Sequence, residues 1–187
     1  MPIEIEIKLK VDDLAPVRAK LQQLGATPAG EVLETNVFFD TPERDLLGSD
    51  CGLRLRRSRN ITTSREQLIV TYKGPRAEGR VKRREEIEVK VDALDATVDL
   101  LARLGYTRFL SFEKRRESWK LDKSTVELDT LPNLGSYVEI EAASEADVNR
   151  VQEKLGLTHL TPVTASYPDL VSHHLSDRGT RQSVLTF

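Results

Sequence analysis

Aliphatic and charged residues alternate strictly at the start of the chain. Between residues 3 and 11, every odd position is isoleucine, leucine or valine and every even position is glutamate or lysine. Because successive side chains of a β-strand point to opposite faces, this period of two predicts a strand with one charged and one aliphatic face. The stretch after residues 12 and 13 predicts an amphipathic helix that ends at Gly25. Its apolar stripe comprises Leu14, Val17, Leu21 and Leu24.

The same unit of strand and helix recurs twice. A Glu-x-Glu pattern returns at residues 86–88 and again at 139–141, and each copy is followed by a helical pattern that ends in Leu-Gly. The spacing between the copies differs, so the repeat is a recurring supersecondary unit and not a solenoid.

Further alternating segments lie between these units. They predict strands over 32–40, 52–59, 67–73, 108–121 and 125–130, which glycine and proline positions separate. A short helix is expected over 167–175. No linker divides the chain, so we predict one α+β, strand-dominated domain over 1–175 and a loose polar tail over 176–187.

The charged strand faces decide the expected topology. Any single charged face is usually the solvated side of a half-buried strand. Here, however, three helices carry apolar stripes that must pack on the aliphatic strand faces, which leaves the charged faces pointing toward one another. Closing the sheet removes its edges and puts these charges in a lumen. Burying these charged side chains is costly unless they are paired or hold a ligand and metal. An anion bound with divalent cations provides a partner for the basic side chains and for the acidic ones.

Composition excludes several classes of function. The chain has 30 acidic and 28 basic residues and few aromatic ones, which argues against a nucleic-acid partner. Cys51 is the single cysteine, which fits a reducing, cytoplasmic location. No apolar run approaches the ~20 residues of a membrane helix, so no membrane association is expected.

An ordered series of motifs resembles one known family. The segment Glu4-Ile5-Glu6-Ile7-Lys8 is similar to the ExExK signature of the CYTH superfamily, also called triphosphate tunnel metalloenzymes. The resemblance continues, in order, almost to residue 175. It runs through Asn36-Val37-Phe38-Phe39-Asp40-Thr41-Pro42, Leu53-Arg54-Leu55-Arg56, Thr71-Tyr72-Lys73-Gly74-Pro75, Arg84-Glu85-Glu86-Ile87-Glu88, Glu113-Lys114-Arg115-Arg116, Leu131-Pro132-Asn133-Leu134-Gly135, Val138-Glu139-Ile140-Glu141 and Ser166-Tyr167.

The resemblance implies a fold and a set of site residues. The fold is a closed, eight-stranded antiparallel β-barrel with helices packed outside, and the cofactor is Mg²⁺ or Mn²⁺. Tyr167 resembles a tyrosine that closes the tunnel. The implied metal ligands are Glu4, Glu6, Glu139 and Glu141. The implied phosphate-binding residues are Lys8, Arg54, Arg56, Lys73, Arg84, Lys114 and Arg116. The implied catalytic residues are Lys8, Glu86, Glu88 and Asp129, of which the three acidic ones support a second metal or orient the basic groups.

Several functions remain open at this point. We expect hydrolysis of a small-molecule triphosphate, either inorganic or organic. The motif series is similar to the branch related to class IV adenylyl cyclases, which would convert ATP to cyclic AMP and pyrophosphate, but only Met1-Pro2-Ile3 precedes Glu4 where those cyclases carry a His-Phe pair. A non-catalytic polyphosphate-binding protein is a further alternative. We leave a homodimer open as the oligomeric state.

Overall fold

The computed structural model describes residues 3–77, 82–178 and 183–187. The strands within these residues are β1 Ile3–Val11, β2 Thr27–Asp40, β3 Gly52–Asn60, β4 Glu66–Lys73, β5 Lys82–Val91, β6 Thr107–Leu121, β7 Ser124–Leu131, β8 Gly135–Glu141 and β9 Val184–Leu185. The helices are α1 Ala15–Gln23, α2 Asp45–Gly48, α3 Leu94–Arg103, α4 Glu145–Lys154 and α5 Tyr167–Asp177.

Eight of the described strands close into one antiparallel barrel. Neighbours follow the order β2, β3, β4, β5, β1, β8, β7 and β6, and the pairing of β2 with β6 joins the two ends. Each of these pairings is antiparallel. The prediction of a closed eight-stranded barrel is therefore confirmed.

The aliphatic strand faces point outward, and helices cover much of them, although Ile87 and Val89 of β5 stay exposed. Ile7 and Leu9 of β1 share a buried cluster with Val17 of α1 and Val151 of α4. A second cluster joins Leu101 of α3 to the outer side of β2 and β3. Burying each such aliphatic side chain stabilises the folded state by ~1.5–3 kcal/mol, so these clusters stabilise the closed barrel.

Helix α5 packs differently from the other long helices. Its Val171 and Leu175 contact inward-facing side chains, among them Leu131 of β7 and Tyr137 of β8, which lie on the same strand faces as the charged lumen residues. One part of the barrel interior is thus filled with apolar side chains, and the charged part lies beside it.

Two local features differ from the sequence-based expectation. Strand β2 begins at Thr27 and not at residue 32, because a register shift between Pro28 and Gly30 lets the strand pass two residues that normally break one. Gly30 has a φ of 132°, which favours glycine. The tail predicted from residue 176 contains strand β9, which pairs in parallel with β6 and buries Leu185.

Candidate functional site

The inward strand faces enclose a cavity of about 670 Å³, within the range typical of small-molecule sites. All of the residues predicted to form the site line this cavity except Asp129. The lining residues from that prediction are Glu4, Glu6, Lys8, Arg54, Arg56, Lys73, Arg84, Glu86, Glu88, Lys114, Arg116, Glu139, Glu141 and Tyr167.

Carboxylates crowd together where β1 meets β8. Glu6 lies opposite Glu141 in this pairing. Burial, followed by repulsion from Glu4, Glu6 and Glu86, raises the pKa of Glu141 to about 6. Burial and the charges of Glu139 and Glu4 likewise raise the pKa of Glu6. Carboxylates thus face one another here, and a bound cation would relieve their repulsion.

The donor chemistry of this cluster suits Mg²⁺ or Mn²⁺, since hard cations prefer carboxylate oxygens. In the present arrangement Lys73 donates to both oxygens of Glu4 at 3.0 and 2.7 Å, and Lys82 donates to Glu6 at 3.4 Å. Glu139 is ion-paired with Arg116. Within the described residues, no three carboxylate, imidazole or thiol side chains converge closely enough to hold a metal ion. The carboxylate oxygens are donors of the right chemistry for such an ion, but they would have to move closer together, and the ammonium groups of Lys73 and Lys82 would have to give way.

Arg54 and Arg56 lie on the opposite wall of the cavity, and each has a buried N–H group without an acceptor among the described residues. The Nη2 atom of Arg54 donates to the hydroxyl of Thr71 at 3.2 Å, and the Nη2 atom of Arg56 donates to Glu88 at 3.2 Å. The Nε atom of each arginine is buried and finds no acceptor among the described residues. Buried donors almost always have a partner, so this pair of unfilled positions is suited to an anionic ligand.

Asp129 lies beneath the cavity and holds the basic residues in place. Its side chain is 0% exposed and accepts hydrogen bonds from Lys114 at 3.1 Å, Arg116 at 2.7 Å and Tyr167 at 2.8 Å. A carboxylate bound so completely by protein groups has no direct access to a ligand in the cavity. It holds the side chains of Lys114, Arg116 and Tyr167, which line the cavity.

Lys8 is buried in the middle of these charges. It lies opposite Glu139 in the β1–β8 pairing, and its Nζ atom is 4.1 Å from the centre of the Tyr167 ring. Burial lowers the pKa of Lys8 to about 7; Glu139 opposes this shift, and Lys82 adds to it.

Arg84 has a different set of partners in this structure. Its guanidinium donates to the backbone oxygen of Gly74 and, at 3.1 Å, to that of Asp50. Asp50 in turn binds Arg76, which also reaches Asp169 of α5 at 3.4 Å. Arg84 thus lines the cavity while bracing the loops at its edge.

Sequence reasoning missed several lining or supporting residues. Glu34 is buried against Lys114 and Arg56, at 3.4 and 3.7 Å. Lys82 extends the charged face of β5 by one alternate position beyond Arg84, which the alternating pattern could have indicated. Asn36 and Phe38 follow Glu34 on the inward face of β2, but a mixture of one acidic, one amide and one aromatic residue carries no recognisable periodic signal.

None of the helices within the described residues has the length and apolarity needed to cross a membrane.

Comparisons with known proteins agree with this architecture. A protein of Methanocaldococcus jannaschii, named "putative adenylate cyclase", is 31% identical over 153 residues, which cover 82% of this chain and 83% of that protein. The solved structure of the PH1819 protein from Pyrococcus horikoshii has a TM-score of 0.78 at 27% identity, over 91% of this chain and 99% of the other. A Hippeastrum protein, described as a putative adenylyl cyclase with a dominant triphosphatase activity, has a TM-score of 0.69 at 19% identity and shares the fold over 96% of this chain and 97% of its own. The CYTH domain family matches residues 2–167. The chain belongs to the CYTH domain family and is an enzyme of that type.

Proposed function

We propose that this enzyme hydrolyses a small-molecule triphosphate in its charged cavity, with Mg²⁺ or Mn²⁺ as cofactor. The observation that carries the proposal is the pair of buried Nε atoms of Arg54 and Arg56, which have no acceptor among the described residues and face a cluster of mutually repelling carboxylates. A chain of phosphates with a divalent cation supplies both missing partners at once.

The basic residues would hold the phosphate chain. Arg54 and Arg56 would bind phosphate oxygens through the guanidinium edges that are unfilled here, and Lys114 and Arg116 would bind from the adjoining wall. Asp129 keeps Lys114 and Arg116 oriented, so we assign it a positioning role. Lys8, Lys73 and Arg84 complete the proposed phosphate-binding set.

The acidic residues divide into two proposed groups. Glu4, Glu6, Glu139 and Glu141 would hold the cation, which when bound neutralises phosphate charge and polarises the reacting phosphoryl group. Glu86 and Glu88 lie beside Lys73 and Arg56, at 3.0 and 3.2 Å. They would orient these basic groups toward the phosphates.

The chemical step is an in-line displacement. The oxygen of a water molecule attacks the terminal phosphorus, and the bond from that phosphorus to the bridging oxygen breaks. The bridging oxygen keeps the bonding electron pair, and the water gives up one proton to solvent or, where the amine of Lys8 is uncharged, to Lys8. The products are a diphosphate and phosphate. Catalysis then rests on positioning and on stabilisation of charge by preorganised groups.

Adenylyl cyclase activity is the second candidate. It is favoured by the name of the Methanocaldococcus jannaschii relative, which is 31% identical to this chain. In that reaction the 3′-hydroxyl of ATP, and not water, would attack the phosphorus nearest the ribose, and pyrophosphate would leave. The same cavity charges would serve either nucleophile.

A product assay tests the proposal. The pure protein is incubated with inorganic triphosphate, thiamine triphosphate and ATP, each with Mg²⁺ or Mn²⁺, and the products are separated by chromatography. We expect phosphate release from at least one triphosphate to exceed formation of cyclic AMP from ATP at neutral and alkaline pH. If cyclic AMP is the dominant product, the proposed activity is wrong and the enzyme is an adenylyl cyclase. Tight triphosphate binding without turnover would make the chain a binding protein.

A further inference from the structure

Strand β5 has a free edge where it extends past β1. On one side it pairs with β4 as far as Val91. On the other side its pairing with β1 covers only residues 82–85. Among the described parts of the chain, no strand pairs with residues 86–91 on the β1 side. The barrel is closed, but this stretch of β5 projects beyond the closed seam.

Backbone groups of alternate residues point to this free edge. The backbone oxygen of Glu85 accepts a hydrogen bond from the N–H of Gly74 at 2.9 Å, on the β4 side. Because the direction alternates along a strand, the N–H and C=O groups of Glu88 and Lys90 point the other way, toward the free edge. A row of such unpaired backbone groups is a template for pairing with a further strand.

The outward face of the same segment is apolar and uncovered. Ile87 is 44% exposed and Val89 is 56% exposed. On the neighbouring strand, Val70 lies opposite Val89 and packs against the cluster that contains Leu101 of α3. The helices therefore cover the outward face as far as β4 and leave that of β5 open. A free strand edge thus coincides with an uncovered aliphatic face.

The sequence of this segment is complementary to itself in one antiparallel register. When Val89 of one copy lies opposite Val89 of a second copy, Glu88 of each lies opposite Lys90 of the other. Each of these acidic–basic pairs then exchanges both of its backbone hydrogen bonds, and the opposite charges lie side by side on one sheet face. On the other face, Ile87 of each copy lies opposite Val91 of the other, next to the two Val89 side chains.

The charged side chains that this register needs are accessible. Lys90 is exposed and forms no ion pair with any described residue. The side chain of Glu88 is 42% exposed, although it also contacts Arg56 at 3.2 Å. An edge protected by lysines alone would repel a second copy. Here the two signs alternate, so self-pairing brings opposite charges together.

We propose that two copies of this chain form a homodimer through β5, with the two strands antiparallel about a two-fold axis at Val89. The sheet of one barrel then continues into the sheet of the other, and main-chain hydrogen bonds supply much of the affinity. An isologous contact of this kind closes with two subunits and does not propagate. Because Glu88 also lines the cavity, Lys90 of the second copy would lie beside a residue of the site.

Sedimentation velocity of the full chain is the first test. One copy has a mass of 21.1 kDa. At protein concentrations of about 50 µM we expect wild type to sediment mainly at twice that mass, as a dissociation constant of about 10 µM or lower requires. Wild type that stays monomeric at this concentration would overturn the inference.

Single variants test whether β5 is the interface. Val89→Lys puts two like charges opposite each other at the two-fold axis, and Lys90→Glu turns both acidic–basic pairs into repulsive ones. Each should raise the dissociation constant of the dimer at least about tenfold. The control is Val184→Lys, at a residue that is 49% exposed on β9, which pairs with β6 on the opposite side of the barrel. This control should remain as dimeric as wild type.

A mixing experiment tests the register. Glu88→Lys alone and Lys90→Glu alone each juxtapose like charges in a homodimer, so both variants should be monomeric. In a mixed dimer of the two variants, every lysine at position 88 or 90 lies opposite a glutamate, so mixing them should restore the dimer. Circular dichroism establishes that both variants are folded. If Glu88→Lys does not fold, since it faces Arg56, the comparison of Val89→Lys and Lys90→Glu with Val184→Lys decides.

Two results with the variants would contradict the inference. Dimers of Val89→Lys and Lys90→Glu as stable as those of wild type would place the interface on another surface. Two folded charge variants that stay monomeric when mixed would show that Glu88 and Lys90 do not pair between copies. Neither result depends on which reaction the cavity performs, because sedimentation is measured without substrate or metal.

Discussion

The hydroxyl of Tyr167 donates a hydrogen bond of 2.8 Å to the carboxylate of Asp129, across 38 residues of sequence. Tyr167 is the first residue of α5, and its ring lies 4.1 Å from the ammonium of Lys8 and 4.9 Å from that of Lys114. The helix that fills one part of the barrel is thus anchored in the charge network beneath the cavity. Packing of α5 and orientation of the basic residues therefore depend on one buried carboxylate.

Replacing that carboxylate should destabilise the protein strongly. Asp129→Asn leaves Lys114 and Arg116 buried with a reduced counter-charge, and breaking a buried ion pair costs about 3–5 kcal/mol. The control is Asp122→Asn, which breaks an ion pair with Lys154 whose side chains are 50% and 39% exposed. That surface pair should contribute no more than ~1 kcal/mol. Urea unfolding of both variants measures the difference.

Tyr167→Phe provides a milder change at the same point. It removes only the hydroxyl that donates to Asp129, so the free energy of unfolding should fall by about 1 kcal/mol. Equal effects of Asp129→Asn and Asp122→Asn would contradict the role assigned to Asp129.

The stability of the protein should decline in acid partly through Glu34. Burial alone would raise the pKa of Glu34, but Lys114, Arg116 and Arg56 outweigh it and hold that pKa well below its usual 4.5. Because the pKa of Glu34 is depressed in the folded state, its ionised carboxylate contributes fully to stability at pH values above the pKa that it has in the unfolded chain. This contribution is lost as the pH falls below that value. Glu34→Gln should therefore be less stable than wild type near neutrality, and its free energy of unfolding should vary less below about pH 4.5.

Urea unfolding at a series of pH values checks this expectation. Glu153→Gln removes an exposed carboxylate from α4 and serves as the control. Parallel acid profiles of wild type and Glu34→Gln would show that Glu34 is not held by its basic neighbours.

Arg56 should contribute directly to triphosphate binding. Arg56→Ala removes a buried, charge-assisted contact worth ~1.5–3 kcal/mol, which corresponds to a rise of about one to two orders of magnitude in the dissociation constant for inorganic triphosphate. The neighbouring Arg57 points away from the cavity, has a side chain 45% exposed and pairs with Glu66. Arg57→Ala is thus a matched control that should bind normally in titration calorimetry. Unchanged binding in Arg56→Ala would place the phosphates elsewhere.

Strict alternation made much of the barrel predictable. The period-two pattern around Glu4 and Glu6 identified β1 and its charged face, and the apolar stripes of the following helices indicated which strand face lies inside. The period-two pattern gives no signal where the inward side chains of a strand differ in chemistry. For that reason the pattern does not predict Glu34 and Phe38 of β2 as lumen residues. It also fails at Pro28 and Gly30, where a register shift lets the strand continue.

Side-chain partners could not be predicted from the pattern. Alternation puts Asp129 on an inward face but does not reveal that Lys114, Arg116 and Tyr167 cover it completely. Similarly, nothing in the sequence indicates that Arg84 donates to the backbone oxygens of Gly74 and Asp50. These contacts depend on distances between strands that are far apart in the chain.

Metal-dependent hydrolysis is tested most directly by phosphate release from inorganic triphosphate and from ATP after exhaustive chelation and after addition of Mg²⁺ or Mn²⁺. We expect no release in chelator, recovery with at least one of the two metals, and loss of release in Glu6→Gln although its circular dichroism spectrum matches wild type. Glu153→Gln, with an equal change of net charge at an exposed site, should behave as wild type. Phosphate release that survives chelation, or that persists in Glu6→Gln, would contradict metal-dependent hydrolysis in this cavity.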